Sequence, residues 1–113
     1  MAGKVIRRGD VVTIAVNGDF GKPRPALVVQ GELFPNLPTV IVCPLTSELR
    51  DDAKQLRIDL VPTVENGLRE PSQVMVDKVS AVPIARIGKV IGRVDDGAML
   101  QVGRALAVLL GIV

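Results

Sequence analysis

"RPALVVQGELFPNLPTVIVCPLTS", Arg24 to Ser47, carries two short runs of branched apolar residues on either side of a segment broken by Gly31, Pro35 and Pro38. Runs this short, rich in Val and bounded by turn residues, read as buried β-strands, because a helix needs a longer periodic stretch. Pro25 opens the first strand, where its missing N–H does least harm. Arg24 stands between Pro23 and Pro25. Pro23 has its own φ preset, and Pro25 pushes the arginine out of the helical region into extended backbone. A cation is therefore held stiffly at the mouth of an apolar strand.

The same chemistry recurs outward from this stretch. "DVVTIAV", Asp10 to Val16, reads as a strand closed by the turn-rich "NGDFGKPRP", and Pro25–Gln30 and Thr39–Leu45 as the next two. "KQLRIDL", Lys54 to Leu60, alternates apolar and charged residues and predicts a strand with one wet face. "QVMVDKVSAV", Gln73 to Val82, and "RIGKVIGRV", Arg86 to Val94, complete a set of six. Short strands with turns between them predict a mainly β (α+β) chain, an antiparallel barrel or sandwich. The last segment differs: Asp95 is a helix N-cap candidate, and Met99, Val102, Leu106 and Leu109 recur at helical spacing before Gly111. Leu100, Ala105 and Val108 widen that apolar stripe, which predicts a helix covered on more than one side.

At 113 residues the chain is long enough for one domain, 1–113, and too short for two cores. With 48% hydrophobic and 23% charged residues it has ample apolar surface to offset the entropy of ordering, which excludes a disordered chain. Aromatics are limited to Phe20 and Phe34, so aliphatic side chains must fill the core, and their surplus predicts a homodimer. A net charge of +2 permits an anionic partner without demanding one. The lone Cys43 cannot form an internal disulfide and fits a reducing compartment. The N-terminal stretch lacks an apolar leader, and the uncharged run "ALAVLLGIV" is only 9 residues. The expectation is a cytoplasmic protein with no membrane span.

Histidine is absent, which removes the Ser/His/Asp and Cys/His triads and His-rich zinc sites together. No P-loop or dinucleotide fingerprint occurs. The neighbouring acids Asp51–Asp52 and Asp95–Asp96 suit turns and caps better than a cation, so no metal site is expected. Polar residues remain at strand ends: Arg24, Gln30, Thr46, Ser47, Ser72 and Gln73. A guanidinium fork with a hydroxyl beside it suits a phosphate group.

In order and spacing, "RRGDVVTIAV", "GKPRPALVVQ", "TVIVCPLTS", "NGLREPSQVMVDKV" and "RIGKVIGRVDD" resemble the MazF/PemK (Kid-like) family of toxins from type II toxin–antitoxin modules, over nearly the whole chain. The resemblance implies an SH3-like or CcdB-like small antiparallel β-barrel with a C-terminal α-helix. It also implies a homodimeric mRNA interferase that needs no cofactor or metal and arrests growth. Such an endoribonuclease cuts single-stranded RNA by 2′-OH attack, leaving a 2′,3′-cyclic phosphate and a 5′-OH, until an antitoxin with an acidic disordered tail neutralises it. Arg24 matches the family arginine of the RPALVV motif, and Thr46 the hydroxyl residue after its PL pair; both are implied to be catalytic. Phe20, Lys22, Gln30, Ser47 and Gln73 are the implied substrate contacts, Phe20 by stacking on a base. Two departures leave the general acid and base open. The run corresponding to an Arg-Thr-Ile-Asp-like segment of many relatives is Ser80-Ala81-Val82-Pro83, and the first loop, Asn17 to Lys22, has no histidine. The alternatives are a non-catalytic CcdB-like inhibitor of DNA gyrase using "LLGIV", and a KOW-like RNA-binding barrel, whose likeness ends at Lys22.

Overall fold

A computed structural model of the chain describes residues 5–15 and 22–112. Its strands are β1 Asp10–Ile14, β2 Arg24–Val28, β3 Thr39–Thr46, β4 Arg57–Leu60, β5 Ser72–Met75, β6 Ser80–Pro83 and β7 Ile87–Arg93, followed by helix α1, Asp96–Leu109. All pairings are antiparallel, in the order β4-β5-β3-β2-β1-β7, with β6 added to β3. Mainly β architecture with one C-terminal helix is therefore as expected, but with seven strands among the described residues where the sequence predicts six.

The extra strand arises where Gln73–Val82 reads as a single element. β3 is long enough to serve two partners: Leu45 and Thr46 pair with β5, while Thr39–Val42 pair with β6. Between these ladders lies Pro44, which has no N–H to carry the pairing on. A one-turn 3₁₀ helix, Val76–Lys78, takes the chain from one ladder to the other and buries Val76. The wet strand is also shorter than expected: only Arg57–Leu60 pairs, and turns precede it.

The sheet curls without closing strand to strand, and the seam between β4 and β7 is filled by the loop at residues 61–68. Asn66, 5% exposed, organises that loop. Its amide donates to the Val61 carbonyl (2.9 Å), and its Oδ1 accepts from the N–H groups of Thr63 and Leu68 (3.0 Å each). The loop then lies backbone to backbone on β7, where the N–H of Arg93 donates to the Glu65 carbonyl at 2.7 Å. Glycine is required on both sides of this contact. Gly67 has φ +70°, and a Cβ on Gly92 would stand 2.6 Å from the Glu65 carbonyl oxygen.

Alternation along β1, β2 and β3 buries both faces of the sheet. Val11, Leu27, Cys43 and Leu45 face the same core as Met99, Val102 and Ala105 of α1, while Val12, Ala26, Val28 and Val42 form a second cluster with Ile87. Asp95 caps α1 as expected, its carboxylate accepting from the N–H of Ala98 at 2.8 Å. Within one chain the helix is covered on one side only, because Leu100 and Val108 are 56% and 61% exposed. No helix among the described residues is long and apolar enough to cross a membrane.

Cys43 is fully buried, and burial pushes its thiol from 9.0 up to about 11, with Asp77 adding to the rise and Arg8 opposing it. The unfolded thiol loses its proton first, so this site costs nothing below pH 9.0 and lowers stability as pH rises toward about 11. Between about pH 7 and pH 10, the wild-type urea midpoint should fall more steeply than that of Cys43→Ala. Equal slopes would contradict the burial argument.

Candidate active site

Arg24 begins β2 and Thr46 ends β3. The two strands pair antiparallel from Val28 opposite Val42 to Ala26 opposite Pro44, and Arg24 and Thr46 each lie two residues beyond that last pair, at the same end of the ladder. The ladder therefore brings the two residues to one end of the sheet, where they reach the same depression. The sequence separates them by a long loop; the hairpin removes that separation.

Both residues line an open depression of about 550 Å³ with Pro25, Leu45, Ser47 and Ser72. Arg24 is exposed and Thr46 half-buried. Thr46 Oγ1 accepts from the N–H of Glu48 at 3.0 Å, which starts the turn after β3 and leaves the hydroxyl hydrogen to donate elsewhere. Glu48, Arg69 and Glu70 add charge to the lining. Sequence reasoning passed over these three, because nothing in their spacing marks them. They come from the turn after Thr46 and from the segment that the Asn66 network fixes; the available signal was the Asn66-Gly67 turn pair ahead of Pro71.

The other expected substrate contacts are dispersed. Ser47 is exposed beside Thr46. Gln73 lies opposite Thr46 on β5 but is 4% exposed, and its amide is spent within the fold. It accepts from the N–H of Arg50 (3.0 Å) and donates to the Arg50 carbonyl (3.0 Å) and to Asp59 (2.8 Å). Gln30 stands at the opposite end of the β2–β3 pair, donating to the Phe34 carbonyl (2.8 Å) and accepting from the N–H of Ile41 (3.0 Å). Lys22 is exposed and lines an adjoining depression with Arg86 and Lys89. Phe20 lies outside the described residues, as does most of the first loop. Ser80–Pro83 forms β6, against the half of β3 remote from Thr46.

Of the acids set aside as metal ligands, Asp52 and Asp95 have structural roles. Asp52 pairs with Arg50 at 2.8 Å, and that hydrogen-bonded guanidinium lowers its carboxyl below the ordinary range. Asp95 is the helix cap. Among the described residues, no three His, Cys, Asp or Glu side chains converge as metal ligands would.

A small curled antiparallel sheet, one C-terminal helix across its face and a cation beside a hydroxyl at the strand ends define the class: a compact β-domain built like bacterial toxins of known structure. In a comparison with family models, the PemK-like, MazF-like toxin of type II toxin–antitoxin systems matches residues 7–110. The chain belongs to that family. It is similar to a probable endoribonuclease MazF of Mycolicibacterium smegmatis, 42% identical over 108 residues that cover 95% of this chain and 98% of the relative. A mycobacterial endoribonuclease solved in complex with its cognate antitoxin shares the fold, with TM-score 0.81 and 21% identity, over 96% of this chain and 98% of that one. MazF in a MazE–MazF complex from Deinococcus radiodurans aligns with TM-score 0.78 and 21% identity, over 96% and 97%.

Proposed function

We propose that this protein is the toxin of a toxin–antitoxin pair and an endoribonuclease that cleaves single-stranded RNA without a metal ion. The observation that carries the reading is the single depression that Arg24 and Thr46 line together, at adjoining ends of the paired strands β2 and β3. In the reaction, the 2′-oxygen of a ribose attacks the adjacent phosphorus, the 2′-O–P bond forms and the bond from phosphorus to the 5′-oxygen breaks. The products are a 2′,3′-cyclic phosphate and a 5′-hydroxyl. Negative charge grows on the non-bridging oxygens, and the Arg24 guanidinium, carried on backbone that its two flanking prolines restrict, meets that charge. The Thr46 hydroxyl donates to the same phosphate. Glu48 and Glu70, the carboxylates lining the depression, are the candidates for accepting the 2′-OH proton, and the departing 5′-oxygen takes a proton from water. The nucleophile belongs to the RNA, so DNA is not cut.

The family match and the name endoribonuclease on the 42% identical relative support this assignment. Related structures that contain an antitoxin support a cognate partner here. Its acidic tail would order across the Arg24 depression and compete with RNA. The exposed Leu100 and Val108 on α1 favour a homodimer, and an mRNA substrate would be met in the cytoplasm.

The test is incubation of a mixed-sequence single-stranded RNA and its DNA counterpart with the purified protein in EDTA. RNA should yield discrete fragments and DNA should stay whole. Intact RNA, together with DNA gyrase trapped on its substrate, would favour the CcdB-like reading instead.

A further inference from the structure

Beside the Arg24 depression lies another of about 550 Å³. Pro23 lines this one and Pro25 the first, so they flank Arg24 across two residues of extended chain, about 7 Å. Their charge differs. The Arg24 depression mixes Arg24 and Arg69 with Glu48 and Glu70, whereas the second carries Lys22, Arg86 and Lys89 and no carboxylate among the described residues lining it. All three cations are exposed, and the remaining lining includes the apolar Ala15, Pro23 and Ile91.

The backbone at this place is specialised. The β1–β7 register shifts between Val12 and Ile14, a bulge of the kind that re-aims side chains beside functional sites. Thr13 Oγ1 accepts from the N–H of Lys89 at 2.9 Å, fixing the bulge and leaving the hydroxyl hydrogen to donate. Gly88 is hard against the same hydroxyl, so a side chain there would have to displace it. The bulge thus holds Lys89 and a hydroxyl donor at one hollow.

From this arrangement we infer that the Lys22, Arg86 and Lys89 depression is a second nucleotide subsite on the RNA path, with the next phosphate on its cationic rim and the attached base against Pro23 and Ile91. The inference rests on the endoribonuclease reading and deepens it: the substrate is gripped at a phosphate beyond the one that reacts. An uncharged peptide or an apolar ligand would leave three exposed cations unmatched; a polyanion satisfies them together.

The test uses the full chain and a fluorescein-labelled RNA with every 2′-OH methylated, which cannot be cut. Its dissociation constant is read by anisotropy across a salt series. The double variant Arg86→Gln/Lys89→Gln should bind about tenfold more weakly, with a salt slope smaller by roughly 0.7 for each phosphate that is no longer neutralised. Lys89→Arg keeps the charge and should keep wild-type affinity, with circular dichroism confirming equal folding of all variants. On cleavable RNA the double variant should raise KM and leave kcat near wild type. Wild-type affinity and salt slope in the double variant would overturn the subsite while leaving the nuclease reading standing. A wild type that neither binds nor cuts any single-stranded RNA would overturn both.

Discussion

Arg24→Ala should lower the rate of RNA cleavage by about 10²–10³-fold, the usual cost of removing one donor to a developing oxyanion. The loss appears in kcat, because the extra charge exists only in the transition state. Stability should change by about 1 kcal/mol or less, since Arg24 is exposed and ion pairs at exposed positions contribute little. Arg24→Lys retains the charge but not the planar fork, so it should fall between wild type and Arg24→Ala. Single-turnover cleavage beside thermal melts separates these effects. An Arg24→Ala protein that cuts at the wild-type rate would remove the guanidinium from the mechanism.

Gly92→Ala should destabilise the domain by at least about 3 kcal/mol, near the upper range for a single substitution. The added Cβ would meet the Glu65 carbonyl oxygen at 2.6 Å and the Asn66 carbonyl closer still, and both are backbone atoms of a loop pinned by the Asn66 side chain. Neither can move without opening the seam between β4 and β7, so the midpoint should drop by roughly 12 °C or more. Gly31→Ala is the matched control: nothing lies within 4 Å of a Cβ there, and it should stay within about 0.5 kcal/mol of wild type. A Gly92→Ala midpoint equal to the control's would mean that the seam is loose. Because the loop continues into Arg69 and Glu70, opening it should also slow cleavage.

How far such features can be read from sequence depends on whether the physics is local. The strand mouth at Pro23-Arg24-Pro25 and the cap at Asp95 are set by neighbours in the chain, and the structure has both where the sequence puts them. The division of Gln73–Val82 into β5 and β6 is hidden, because Val76-Asp77-Lys78 contains no Gly or Pro to break the Val-rich run that reads as a single strand. What separates them is Pro44 on β3, a residue far away in sequence. Gln30 and Gln73 sit at strand ends as read, but an amide's partners are tertiary, and both amides are spent within the fold. Arg69 and Glu70 reach the depression only because a loop crosses the barrel seam, a closure that no spacing rule encodes.

The most direct test is chemical. An RNA with one cleavage site is compared in EDTA with the same RNA carrying a single 2′-deoxy sugar on the 5′ side of the scissile phosphate, and the fragments are weighed by mass spectrometry. The account predicts a 2′,3′-cyclic phosphate and a 5′-hydroxyl from the unmodified RNA and no cut at the deoxy position. Cleavage that persists at the deoxy sugar, or fragments bearing 5′-phosphates, would contradict it.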